Sequence, residues 1–140
     1  MIVSNTTREF GMSTNDDEIG RLADGWIQYW YATDGSDARG KLSWVSEKEI
    51  DLLFEDSEGY WRFILAAYRK DDSPLIRGML SAGPLEDLLK EYGPAFIDRI
   101  EHESERDSSF ARLLCGVWLD PTYPVWDRVE ALQNLSRDLS

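Results

Sequence analysis

Apolar residues recur with helical spacing along most of the chain. Ile19, Leu22, Ala23, Trp26 and Trp30 fall on one stripe, and Asp17, Arg21, Asp24 and Gln28 fall on the opposite one. That separation is the mark of an amphipathic helix with one buried face. Thr14 or Asn15 supplies a side-chain oxygen for its N-cap, and the pattern predicts a helix ending near Ala32. Before it, Ile2, Val3, Phe10 and Met12 are scattered among polar residues with no sustained period. Residues 1–13 are therefore expected to be a flexible N-terminal arm.

The stretch TDGSDARGK after Ala32 is turn chemistry of Asp, Gly and Ser, which predicts the longest loop of the domain over residues 33–45. Ser46 and Glu49 have capping-box spacing and precede a short helix carrying Ile50, Leu53 and Phe54. Asp56 or Ser57 caps a third helix with the stripe Trp61, Ile64, Leu65 and Tyr68. Ser73 and Pro74 open a fourth with Leu75, Met79 and Leu80 on its face. Gly83 is expected to end it in a left-handed conformation, with Pro84 starting the next helix of Leu85, Leu88 and Leu89. Gly93 and Pro94 repeat the device ahead of Phe96, Ile97 and Ile100.

Asp107 caps a helix carrying Phe110, Leu113 and Leu114 that stops near Gly116, and after the PTYP turn a last helix carries Val125, Trp126, Val129 and Leu132. No segment alternates convincingly enough to be a strand. The prediction is an all-α fold of about seven or eight short helices packed as consecutive antiparallel helical hairpins, within a single domain over residues 14–140. A solenoid-like curl is a variant of that arrangement, although the sequence has no clean repeat period.

Composition fits one such domain. A chain of 140 residues with 42% apolar positions and six Trp, six Tyr and five Phe can bury a core of its own. The net charge of −12 changes the picture of function, because acids occur in almost every segment from Asp16 to Asp138. Such a field repels phosphate backbones and anionic lipid surfaces, which argues against nucleic acid and membrane as partners. It attracts a basic protein partner instead. No apolar run approaches the ~20 residues that span a bilayer, and the first twenty residues lack a basic-then-apolar secretory pattern, so a cytoplasmic location is expected. The lone Cys115 cannot form an internal disulfide.

LADGWIQYW near the start, GPLEDLL, FIDRIE, and the run from Phe110 through LLCGVW to Trp118 together resemble a bacterial family of unknown function. The resemblance covers roughly residues 20 to 132 and implies a shared helical fold, with no activity attached to it. Residues 33–45 are expected to be individual to this sequence.

Several stretches imitate catalytic motifs. GSDARGKL, Gly35 to Leu42, has P-loop spacing up to Lys41, but Leu42 stands where a magnesium-binding hydroxyl is needed, and a helix precedes it in place of a buried strand. His102 is the only histidine, which rules out a two-histidine metal centre, and Arg99 breaks the Glu-x-x-His pattern of a di-iron bundle. Asp98 lies one turn from His102 and can pair with it on an exposed face. Cys115, ending an apolar helix, is expected to be a buried thiol that packs as a hydrophobe. Ser81 lacks the flanking spacing of a nucleophile elbow.

Acidic pairs abound in such a chain. Glu86 and Asp87 are expected to sit in a helix's first turn, where their charge suits the dipole, and Glu101, Glu103, Glu105 and Asp107 read as a solvated face. Trp26, Trp30, Trp61, Trp118 and Trp126 occupy core-compatible positions, whereas Trp44, Tyr29 and Tyr31 can be exposed.

These observations favour a non-enzymatic binding module without a cofactor. Its acidic surface would dock a basic protein, in a specific version as an immunity-type protein neutralising a cationic bacterial toxin. Tyr31, Trp44, Asp51, Glu55 and Glu58 are the candidate contacts, an aromatic pair beside acids near the 33–45 loop. Two alternatives stay open: a small metal-dependent hydrolase built on a carboxylate cluster, and a structural subunit of a larger complex.

Overall fold

The computed structural model describes residues 14–138, and every regular element among them is helical. The arm expected for residues 1–13 lies outside the described residues. The α-helices are α1 (Asp16–Tyr31), α2 (Asp37–Gly40), α3 (Trp44–Glu55), α4 (Ser57–Lys70), α5 (Pro74–Leu80), α6 (Glu86–Arg106), α7 (Ser108–Leu113) and α8 (Trp126–Asp138). The chain divides into two compact units, Met1–Ala67 and Tyr68–Ser140.

Helix starts follow the caps legible in the sequence. The Asn15 side chain accepts from the Glu18 N–H at 2.9 Å, and Asp56 Oδ1 accepts from the Gly59 N–H at 2.9 Å. Ser73 Oγ accepts from Ile76 at 3.2 Å, and Asp107 Oδ1 accepts from Ser109 at 2.9 Å. Each satisfies an amide that the first helical turn would leave unpaired.

In the first unit, α1 buries Ile19, Leu22, Ala23 and Trp26, α3 buries Val45, Leu52 and Leu53, and α4 buries Tyr60, Trp61, Phe63 and Ile64. Trp26 meets Phe63 edge-on at 5.8 Å, the offset geometry that ring quadrupoles prefer. α3 departs from expectation at both ends. It begins at Trp44, because successive turn bonds from Leu42 to Arg39 and from Val45 to Leu42 lead straight into it. Ser46 thus lies inside the helix and is no cap. Leu53 points inward as expected, but Ile50 and Phe54 are 57% and 60% exposed.

The expected loop over residues 33–45 contains α2, capped by Ser36. Arg39 organises it: Nε donates to the Tyr29 carbonyl at 3.1 Å, Nη1 meets Asp34 at 3.1 Å, and the guanidinium carbon lies 4.4 Å from the Tyr29 ring centroid.

In the second unit the Gly-Pro junctions behave differently from their sequence reading. Gly83 is not left-handed and Pro84 starts no helix; α5 runs through a π-helical turn, Ser81–Leu85, into α6. In a regular α-helix the Pro84 ring would collide with the carbonyl four residues back, and a widened turn relieves that clash. At the second junction the backbone kinks at Tyr92 (φ −138°, ψ 24°), so Pro94 falls just after a break where its missing N–H is harmless. Gly93 is required there: a Cβ on it would lie 2.8 Å from Val125 Cγ2.

On α5 the buried residues are Ile76 and Leu80, while Leu75 is 39% exposed. Residues Val117 to Val125, between a 3-10 turn at Leu114–Gly116 and α8, form a longer irregular segment than the 33–45 region. Among the described residues no helix is long and apolar enough to cross a membrane.

Candidate functional site

Helix α3 gathers most of the predicted contacts. Trp44, Lys48, Asp51 and Glu55 follow at i, i+4, i+7 and i+11 and so share one helical stripe. The outward side beside it carries Glu47, Ile50 and Phe54, all exposed. Two large apolar side chains one turn apart are thus set among acids, each more than half exposed.

Trp44 anchors one end. A Cβ at Gly25 of α1 would lie 2.7 Å from the Trp44 ring, so the indole rests on bare helix backbone while 38% of the residue stays exposed. With Glu18, Arg21, Leu22 and Lys48 it lines a shallow groove along α1 and α3. Lys48 Nζ reaches Glu18 at 3.9 Å. Since Trp44 meets Gly25 and Lys48 meets Glu18, α3 runs antiparallel to α1.

That direction places the remaining candidates. Glu55 sits at the end of α3, and Glu58 lies in the first turn of α4 across the break at Asp56, also exposed. Tyr31, 55% exposed, sits at the C-terminal end of α1, past the level of Trp44 and away from Glu55. The structure therefore brings Trp44, Asp51 and Glu55 onto one stripe and leaves Tyr31 off it.

The α3–α4 corner is tied by hydrogen bonds. Asp56 accepts from Thr14 N–H through Oδ2 at 2.9 Å as well as from Gly59. Burial works to raise its carboxyl, but the backbone amides of Thr14 and Gly59 prevail and hold it below the ordinary value. Arg62 closes the same corner with a bond to the Thr14 carbonyl at 2.6 Å and an ion pair to Asp16.

A family model described as a family of unknown function (DUF6869) matches residues 32–136. The chain belongs to that family. No curated protein and no solved structure matches the chain. The family's description names no activity, and the match begins after the α1 residues Glu18, Arg21 and Leu22 that line the groove.

Elsewhere in this family member, several sequence expectations are corrected. Cys115 is exposed, because it lies on the outer side of the 3-10 turn whose Leu114 points inward. Trp118 is 81% exposed; Val117 and Leu119 are the buried neighbours, and extended backbone sends the residue between them to the other side. Glu86 caps no free helix end, since α6 continues the π turn. Its Oε1 instead accepts from the Trp118 N–H at 2.7 Å and its Oε2 holds Lys90 at 3.0 Å. Asp87 beside it has its carboxyl raised, by burial first and by the Glu86 charge second.

Asp98 and Glu101 both pair with Arg128 of α8, while His102 is exposed. Asp107 caps α7 and accepts from the Tyr68 hydroxyl at 2.6 Å, so the acidic run from Glu101 is more than a solvated face. Among the described residues no three His, Cys, Asp or Glu are grouped to hold a metal ion.

Proposed function

We propose that this protein is a non-enzymatic binding module whose α3 face docks a basic protein. The observation that carries the reading is the pair Ile50 and Phe54, over half exposed, set among Glu47, Asp51 and Glu55. Exposed aliphatic and aromatic side chains gain free energy only when a partner covers them, and the surrounding carboxylates choose a cationic one. The net charge of −12 adds long-range attraction that speeds encounter. In its narrower form the proposal is an immunity-type protein that neutralises a basic bacterial toxin, a task suited to a small acidic domain.

The test begins with the immobilised protein, mass spectrometry of what elutes at high salt, and calorimetry with the purified partner. Binding should weaken steeply between 50 and 300 mM salt, as expected when exposed charges are screened at a Debye length of about 10 Å near 0.1 M. Phe54→Ala and Asp51→Asn should each weaken it at least severalfold. An acidic partner, salt-insensitive affinity or indifferent α3 variants would reject the reading. The narrower form stands if the neighbouring open reading frame encodes a basic toxin from which co-expression of this chain protects cells, and falls if it encodes none or growth is unchanged.

A further inference from the structure

The second unit displays a solvent-facing tryptophan that is held from several sides. Trp118 is 81% exposed, yet its backbone is fixed: its N–H donates to Glu86 Oε1 at 2.7 Å. The residues before it are equally tied. Gln133, 5% exposed, donates through Nε2 to the carbonyls of Leu114 at 2.8 Å and Val117 at 3.3 Å. Gly116 lies so close to the buried Ser81 that a Cβ would stand 2.7 Å from Ser81 Cβ. Val117 and Leu119, 4% and 5% exposed, fasten the segment on either side of the indole. An exposed ring on a mobile loop would lose conformational freedom when covered; this one has surrendered most of its backbone freedom already.

Trp118 borders a groove whose apolar lining includes Val117, Leu119, Pro121 and Trp126, with Asp120 and Arg137 as its charged members. Asp120 is oriented by the Thr122 amide at 2.8 Å and the Thr122 hydroxyl, both on Oδ1, so Oδ2 takes no part in those two bonds. Arg137 is engaged with Asn134 at 3.2 Å, and Lys90 with Glu86 at 3.0 Å. An indole face beside an oriented carboxylate is a receptor for a guanidinium or ammonium group, which the ring attracts through its quadrupole and the carboxylate through its charge.

We propose that the Trp118 groove of the second unit is a docking site for an extended, arginine-bearing segment of a protein partner. The ring takes the cation, Asp120 fixes it, and Pro121 and Trp126 cover the apolar stem. Its charge complementarity comes from Asp120 within a chain of net charge −12, with Arg137 as the opposing cation of the lining.

The probe is an acetylated, amidated hexapeptide of alternating arginine and proline, with its glutamate–proline counterpart as control. The six tryptophans give six indole N–H resonances, and Trp118→Phe identifies the one from Trp118. Titrating the full chain with the arginine peptide should shift that resonance saturably, and raised salt should weaken the effect. Trp118→Ala should cost at least tenfold in affinity. Asp120→Asn should cost about threefold and flatten the salt dependence. Phe54→Ala should leave the response intact, which keeps this site's failure distinct from that of the α3 reading. An equal response to the glutamate peptide, or unchanged affinity in Trp118→Ala, would overturn the proposal. So would a shift that follows protein concentration without peptide, which would assign the face to a second copy of the chain.

Discussion

Replacing Tyr68 by Phe removes one oxygen from the second unit and should make its contribution visible at both ends of the pH scale. The ring stays: it meets Phe110 edge-on at 5.3 Å and carries the Arg77 guanidinium carbon 4.9 Å from its centroid. What goes is the hydroxyl that donates to Asp107 Oδ2 at 2.6 Å. A hydrogen bond to a charged acceptor contributes ~1.5–3 kcal/mol. Both side chains are partly solvated, which reduces the expected loss at pH 7 to about 1 kcal/mol.

The same contact fixes the sign of the pH dependence. Burial first, then the Asp107 bond and charge, push the Tyr68 hydroxyl up to about 12. A group whose folded value is raised stabilises fully below its unfolded value near 10 and loses that contribution as pH rises toward 12. The displacement sets a ceiling of ~3 kcal/mol, and solvent screening brings the observable loss to about 1 kcal/mol. Asp107 runs the other way. The Tyr68 hydroxyl foremost, with the Phe110 and Ser109 amides, holds its carboxyl below the ordinary value, so its contribution exists above about pH 4 and disappears as pH falls through the folded value. Urea unfolding followed by far-UV circular dichroism from pH 3 to 11.5, for wild type and Tyr68→Phe, checks this. The difference between the two should be largest near neutrality and shrink at both extremes. A difference that stays constant from pH 8 to 11.5 would refute the reasoning.

Further substitutions test the packing. Gly93→Ala should destabilise by roughly 1–3 kcal/mol through overpacking against Val125, despite alanine's better helix propensity; adding Val125→Ala should recover part of that loss in urea titrations, whereas a more stable single variant would show the contact to be loose. Phe54→Ala on the exposed side of α3 should change stability by no more than about 0.5–1 kcal/mol, while Leu52→Ala, 3% exposed, should cost ~2–4 kcal/mol in the same assay.

The helices were legible wherever a local interaction decides their start. Asn15, Asp56, Ser73 and Asp107 each bond an amide two or three residues ahead, so three or four letters of sequence contain the whole cause. Which apolar residues turn inward was less legible. Ile50, Leu53 and Phe54 fit one helical face on paper, but helix orientation is set by partners distant in sequence, and only Leu53 is buried. The Gly-Pro junctions misled for a related reason. Proline forbids regular α geometry locally, yet whether the chain stops, widens or kinks depends on what packs there, here Gly116 against Ser81 and Val125 against Gly93. Of the candidate contacts, Trp44, Asp51 and Glu55 shared a readable period, while Tyr31 was joined to them only by nearness in sequence. Trp118 was missed because a tryptophan between two aliphatic residues reads as core until the backbone is known to be extended.

Exposed apolar groups on α3 and at Trp118 pose a common problem, since each is a place where two copies of the chain could stick together. Charge decides between the alternatives. Two copies approach with −12 against −12, a repulsion that grows as they near contact, whereas a cationic partner meets the same field as attraction. Salt therefore acts with opposite signs on the two associations, weakening the attraction to a basic partner while relieving the repulsion between copies. A surface of this kind can leave Ile50, Phe54 and Trp118 in water at low ionic strength without self-association, because the acids that would attract a cationic partner also keep like surfaces apart.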